Sequence, residues 1–434
     1  MAIVTPRNSV ASTAPETSPS YAAPLAVVTT LFFMWGFLTC LNDILVPHLK
    51  SIFDLNYRQV TLVQFAFFGA YFIFSIPSAK VVDWIGYQKS MVLGLLIMGL
   101  GAFLFVPAAS VPSYPLFLVA LIVLAAGITC LQVAANPYVT VLGKSSTASS
   151  RLNLTQAFNS LGTFLAPFFG GLLILSAAPK SMDEIRALAP DALQAYRLHE
   201  AATVKTPYVG LGIALVVLAI AIGSFKLPKI PQAQHQIGEK VDDSIWRHKN
   251  LIFGAIAIFV YVGAEVSIGS FLVNYFTQPE IGGFTEKVAA SFVAFYWGGA
   301  MVGRFIGSGL LQKMKTGRLL GICAICAAVL VTVSMISTGH FAMWSIILVG
   351  FFNSIMFPSI FTLGVAELGP LTGDGSGVMI MAIVGGALIP LAQGAIADRI
   401  GIHHAFFLPV ICYLYILFFA LSGSKPNSER QART

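Results

Sequence analysis

Long apolar runs, each cut off by a short polar turn, recur along this chain from Leu25 to about Ser422. A helix needs about 20 apolar residues to cross the hydrocarbon core of a bilayer. Twelve runs meet that length, the first six predicted at 25–47, 59–82, 90–108, 114–142, 152–176 and 207–226. The second six are predicted at 250–276, 288–311, 318–337, 341–366, 376–397 and 403–422. Residues 1–24, rich in Ser, Thr, Ala and Pro, read as a disordered tail. They lack the basic start and short apolar core of a signal peptide, so the first span is expected to be retained. The polar stretch 227–249 divides a first half, 25–226, from a second, 250–422, and 423–434 forms a second tail. The expected fold class is an all-α membrane protein of twelve transmembrane helices in two six-helix halves, with a site at the midplane between them.

Composition agrees with lipid as the solvent. Of 434 residues, 57% are hydrophobic and 10% charged, where a soluble domain carries about 25% charged residues. Mean hydropathy is +0.82. The net charge of +7 does not point to nucleic acid, because the basic residues lie between apolar runs and form no basic helix. Most of the 25 Lys and Arg fall on the side shared by both tails and the linker, which makes that side cytoplasmic. The five cysteines (40, 130, 323, 326 and 412) all sit in apolar segments. Cys323 and Cys326 form a C-x-x-C with no second pair and no nearby His, so no metal site is expected.

The informative residues are those that hydrocarbon would reject. Asp43 in the first span and Glu265 in the seventh are carboxyl groups at membrane depth, and such groups usually face an internal cavity. Both lie on the opening helix of a half. A run of amides accompanies them. Gln132 and Asn136 are four apart on one helical face of span four, and Gln156 and Asn159 are three apart on span five, with Thr163 a turn further. Asn42, Gln64 and Asn353 complete the set. Single amides are ordinary interhelical bonds of modest strength, but this many, beside two acids, suit a cavity for a neutral, hydroxyl-rich solute. Trp35, Tyr261, Phe295, Tyr296 and Trp297 are candidate stacking faces for a sugar ring. Asn136-Pro137 is expected to kink span four beside the cavity.

Two short charged turns, "AKVVDWIGYQKS" after span two and "QKMKTGRL" after span eight, occupy equivalent places in the halves. The first resembles the loop signature of the major facilitator superfamily, with Asp83, Gly86 and Lys89 in order and Tyr87-Gln88 at its second basic position. No catalytic pattern is present. His48, His199, His235, His248, His340, His403 and His404 are scattered, with no H-E-x-x-H, G-x-S-x-G or P-loop. A membrane-bound enzyme is thereby disfavoured, and transport must run downhill or on an ion gradient. A drug:proton antiporter would want a greasier cavity.

Longer strings carry a closer likeness. "WGFLTCLNDILVPHLK", "LVQFAFFGAYFIFSIP", "CLQVAANPYVTVLG" and "RLNLTQAFNSLGT" resemble the fucose permease family of bacterial sugar:proton symporters, a branch of the major facilitator superfamily. "VKTPY" at 204–208, "YVGAE" at 261–265, "GRFIGS" at 303–308 and "PSIFTLG" at 358–364 extend the resemblance over nearly the whole chain. It implies the twelve-helix major facilitator fold, alternating access, and a multi-pass monomer in the bacterial inner membrane with both termini cytoplasmic. It also implies a monosaccharide substrate coupled to a cation, with no cofactor. Asp43 matches the family's aspartate of "LND". Gln132 occupies the position of the family's second acid and cannot titrate, while Glu265 stands where the fucose permease has glutamine; the glucose/galactose branch looks nearer to this arrangement. The implied site is therefore Asp43 and Glu265 for coupling, with Gln132, Gln156 and Asn159 on the sugar. Asn136 joins them on geometry. Proton is the expected coupling ion; two carboxylates with amide oxygens leave sodium open, and the monosaccharide itself stays open.

Overall fold

The computed structural model describes residues 21–53, 57–111, 113–173, 187–229 and 244–426, with side chains at all of these except 41–53, 57–61, 167–173, 197, 200 and 201. Among the described residues every predicted apolar run is helical, the tenth with one interruption. The first half contains α1 (Ala22–Phe53), α2 (Tyr57–Ile85), α3 (Tyr87–Ser110), α4 (Tyr114–Val141), α5 (Ala148–Leu173), α6 (Pro190–Thr203) and α7 (Lys205–Ser224). The second contains α8 (Lys249–Phe276), α9 (Glu286–Lys313), α10 (Thr316–Ile336), α11 (Gly339–Asn353), α12 (Met356–Gly364), α13 (Thr372–Met381), α14 (Gly385–Ile400), α15 (Ile402–Ala405) and α16 (Phe407–Phe418). Helices are what hydrocarbon allows, because each backbone N–H and C=O must find its partner within the segment. Among the described residues, eleven segments are long and apolar enough to span. The 26-residue α5 is the twelfth span, diluted by Arg151, Asn153, Gln156 and Asn159.

Three details differ from expectation. Helix α1 begins at Ala22, inside the expected tail, whose residues 1–20 lie outside the described residues, as do 230–243 of the linker and 427–434 of the second tail. The long polar loop after span five contains α6, started by Pro190 and Asp191, the N-terminal signals of a helix. The tenth span is interrupted between α11 and α12 at Ser354-Ile355. Pro358 explains the break: it has no N–H to give the Ser354 carbonyl four residues earlier, and the Arg304 Nε donates to that carbonyl instead at 3.3 Å.

Each half packs chiefly on itself: α3 against α4 and α7, α1 against α5, and α2 against α4 in the first; α11 against α9 and α10, and α8 against α14 and α16, in the second. Small residues set the closest crossings. A Cβ on Gly127 would meet the Met98 nitrogen and the Gly94 carbonyl of α3, and one on Gly162 would meet the Phe33 carbonyl of α1. Such backbone-to-backbone contact is how membrane helices gain packing energy without a hydrophobic drive. Gly86 joins α2 to α3 alone, at φ 81, a conformation with steric room only for glycine. The same corner, Asp-x-Ile-Gly, recurs at Asp398–Gly401 with φ 84 at the opposite end of the bundle, an echo consistent with inverted repeats within the halves.

The halves meet through α5 with α9 and α12, α2 with α13, and α4 with α13. Helix direction alternates, so the α2–α3, α4–α5 and α9–α10 turns share one end with the start of α1, here called the terminal end. Polar bonds tie the halves there. Ser149 Oγ and Thr362 Oγ1 are hydrogen-bonded at 2.6 Å, and Thr316 Oγ1 donates to Ser149 Oγ at 2.9 Å. Ser150 Oγ donates to the Ser308 carbonyl at 2.7 Å, and Asn153 Nδ2 to the Arg304 carbonyl at 2.6 Å. Lys80 Nζ pairs with Asp374 Oδ1 at 2.7 Å. Each neutral bond is worth about 0.5–1.5 kcal/mol net, which holds this end shut while leaving it reversible.

Candidate functional site

Helices α4 and α5, which meet the second half, carry the amides of the first. On α4, Gln132 and Asn136 are buried on the same face. Gln132 Nε2 donates to the Tyr71 hydroxyl of α2 at 2.8 Å, and Asn136 Oδ1 accepts from Gln156 Nε2 of α5 at 3.5 Å. Among the described residues Gln132 Oε1 and Asn136 Nδ2 have no hydrogen-bond partner, which leaves one acceptor and one donor unmet here. A buried polar atom costs free energy until something satisfies it, and a solute hydroxyl can serve either atom. Asn159, also on α5, donates to the Phe32 carbonyl at 2.9 Å, which fixes α5 against α1. Gly36 permits that approach, since a Cβ there would run into the Asn159 carbonyl. Thr163 Oγ1 adds a bond to the Gly36 carbonyl at 3.3 Å.

In the second half, Glu265 of α8 is half-buried and accepts from the Tyr261 hydroxyl one turn earlier, O···Oε1 2.7 Å. No hydrogen bond among the described residues occupies its second carboxyl oxygen. Tyr296 of α9 lies behind it, its hydroxyl 3.4 Å from the Glu265 carbonyl. Asn353, at the end of α11, is the hub of this cluster. Its Nδ2 donates to the Tyr296 hydroxyl at 2.9 Å, its Oδ1 accepts from Tyr413 at 2.8 Å, and its carbonyl lies 3.2 Å from the Tyr261 hydroxyl.

Arg304 of α9 joins the two clusters. Its guanidinium donates to the Gln156 carbonyl at 3.1 Å and to the Ser160 hydroxyl, both on α5. It also lies within electrostatic reach of Glu265. Hydrogen bonds thus run from Asn136 through Gln156 to Arg304, which donates on to the Ser354 carbonyl next to Asn353 and acts on Glu265 through space. They cross from one half to the other, just inside the tied terminal end.

Not every expected residue joins this chain. Asn42 and Asp43 are on α1, where the side chains of 41–53 lie outside the described residues. Gln64 is exposed on α2 and Trp297 is 40% exposed, edge-on to Tyr296 with its ring over Gly269. Phe295 is exposed and packs against Trp344, away from the amides. Trp35 is buried against Phe32. Asn353 is fully buried with both amide atoms engaged, which makes it a brace for three tyrosines rather than a surface offered to a solute. In the loop signature, Asp83 lies 3.9 Å from Lys80, Gly86 makes the turn, and Lys89 is exposed. Lys80, not Lys89, reaches the other half.

Arg304, Tyr71 and Tyr413 went unmarked in the sequence reading. Arg304 had a signal, an uncompensated cation inside the eighth apolar run. The two tyrosines had none, because aromatic residues are common on every span.

Comparison with known proteins identifies the fold and the family. The family model described as Major Facilitator Superfamily matches residues 26–383. The chain is 52% identical over 425 residues to the glucose/galactose transporter of Brucella abortus, covering 98% of this chain and 100% of the relative. It is 37% identical over 410 residues to the L-fucose-proton symporter of Escherichia coli, covering 93% of each. Its structure superposes with a TM-score of 0.87 on the major facilitator transporter FucP in the outward conformation, at 34% identity over 93% of this chain and 99% of that one. The twelve spans, their packing and these likenesses place the chain in one family: it belongs to the major facilitator superfamily.

Proposed function

We propose that this chain imports a monosaccharide of the glucose/galactose type by proton symport, with the two halves alternating access to a site between them. The observation that carries this reading is the hydrogen-bonded link from Asn136 through Gln156 to Arg304 across the halves, with Gln132 Oε1 and Asn136 Nδ2 unpartnered among the described residues. Amides both donate and accept, as sugar hydroxyls do, so Gln132, Asn136, Gln156 and Asn159 would grip a neutral polyol without a fixed charge. Glu265, steadied by Tyr261, would accept a hydrogen bond from a sugar hydroxyl with its second oxygen. The names of the relatives, a glucose/galactose transporter and a fucose-proton symporter, support both solute and ion.

Asp43 is the coupling carboxyl in this account. It takes a proton on one side of the membrane and releases it on the other as the halves rock. Arg304 beside Glu265 disfavours sodium there, since a fixed guanidinium repels a second cation. The terminal end is the cytoplasmic end, its ties closed and the site facing outward. Asp83, Gly86 and Lys80 form the turn that closes it, with Lys89 outside. The protein works as a monomer in the bacterial inner membrane. Asp43→Asn tests the coupling: it is expected to abolish accumulation of sugar against a gradient while sparing sugar exchange. Accumulation by Asp43→Asn vesicles would overturn the assignment.

A further inference from the structure

Pro137 lies inside α4, four residues from its end. A proline has no N–H, so the Val133 carbonyl one turn earlier loses its helical donor. In hydrocarbon or protein interior, that carbonyl must be satisfied from elsewhere. Val133 is fully buried, and its carbonyl accepts from the Ser376 hydroxyl at 2.9 Å. Ser376 belongs to α13, on the other half, and is itself fully buried. The residues around it allow the approach. Gly377 lies against Ala79 of α2, Gly373 against the Asp83 carboxylate, and Asp374 pairs with Lys80.

We propose that Ser376 is a positioning residue of the transport cycle, capping the carbonyl that Pro137 releases only while the terminal end is closed. The proposal rests on the alternating-access reading above. Because α4 and α13 lie in different halves, opening this end separates them and breaks the bond. Water then reaches the Val133 carbonyl, so the open state has no need of Ser376. The closed state has no substitute for it. Removing the hydroxyl therefore penalises one state and not the other, which makes the pair a selector between them. The other described ties between the halves use donors and acceptors free of this constraint; of them all, only this one has an acceptor created by a proline.

The test uses the full-length chain in lipid nanodiscs, with nitroxide labels on Ser146→Cys and Gln312→Cys. Both positions are exposed at the terminal end, one on each half, and the five native cysteines are replaced by alanine. Distance distributions give the ratio of open to closed molecules. Ser376→Ala is expected to raise that ratio about 5- to 150-fold, the equivalent of one buried unsatisfied carbonyl. Ser376→Thr, which keeps the hydroxyl, stays near the wild-type ratio. In a Pro137→Ala background the new N–H fills the carbonyl, and Ser376→Ala should then change the ratio by less than about threefold. Pro137→Gly restores the same N–H and serves where the alanine variant misfolds. An equal shift in both backgrounds, or none in the wild-type background, overturns the proposal. A wild-type chain locked at one distance with and without sugar would instead overturn alternating access, and the role of Ser376 with it.

Discussion

Asn353→Ala offers the sharpest test of how the second half holds its site. The substitution removes the acceptor of the Tyr413 hydroxyl and the donor to the Tyr296 hydroxyl, on two rings that are fully buried. Leaving a buried hydroxyl unsatisfied costs about 1–3 kcal/mol. Tyr413 loses its acceptor outright; Tyr296 keeps a long contact to the Glu265 carbonyl at 3.4 Å and counts at the lower end. The space left by the amide adds about 1 kcal/mol, for a total of about 3–5 kcal/mol. Buried Cys323 and Cys412 provide the assay: a thiol-reactive dye reports their exposure as detergent-solubilised protein is heated. A second substitution fixes the cause. Tyr413→Phe removes the orphaned hydroxyl, so the double variant should be more stable than Asn353→Ala by about 1–2 kcal/mol. Two outcomes would refute the reasoning: Asn353→Ala melting like the wild type, or Tyr413→Phe destabilising it further.

Other consequences follow from the same geometry. Gly162→Ala forces a methyl into the Phe33 carbonyl, parting α1 from α5 at a cost of about 1–3 kcal/mol; a lower melting temperature together with weaker sugar binding is expected. Lys80→Ala breaks the pair with Asp374, but the Lys80 side chain is 63% exposed, so the loss is under about 1 kcal/mol and vanishes at high salt. A large, salt-independent loss would contradict that. Glu265→Gln keeps an acceptor for Tyr261, so sugar should still accumulate on a proton gradient, with KM raised about tenfold for the lost charge-assisted bond. Loss of accumulation would move the coupling role to Glu265.

How much of this was legible beforehand differs by level. Span positions could be read closely because bilayer thickness fixes the length of an apolar run: 114–142 became Tyr114–Val141, and 250–276 became Lys249–Phe276. The break in the tenth span was written in Pro358, yet prolines inside other spans, Pro77 and Pro107, leave their helices continuous. Helix α6 was missed because a polar segment carries no bilayer-length signal, although Pro190-Asp191 marked its start. Which polar residues share the site was harder. Gln132 and Asn136 share a face as their spacing implied and Asn136 meets Gln156, while Asn353 braces three tyrosines and Arg304 bridges the halves. That distinction depends on the rotation of one helix against another, which Tyr296, Tyr413 and Ser160 decide, and a single sequence does not encode it locally. The opposite held for Asn136-Pro137, where the proline alone announced a carbonyl in need of a partner and Ser376 supplied it.

The central claim is that this chain moves a monosaccharide together with a proton. Purified protein in sodium-free liposomes, given an inward proton gradient and labelled glucose or galactose, measures it directly. The account predicts accumulation of unaltered sugar that collapses with a protonophore, and alkalinisation of the outer medium when sugar is added without an imposed gradient. Accumulation driven by a sodium gradient but not by a proton gradient, or sugar recovered in chemically altered form, would contradict it.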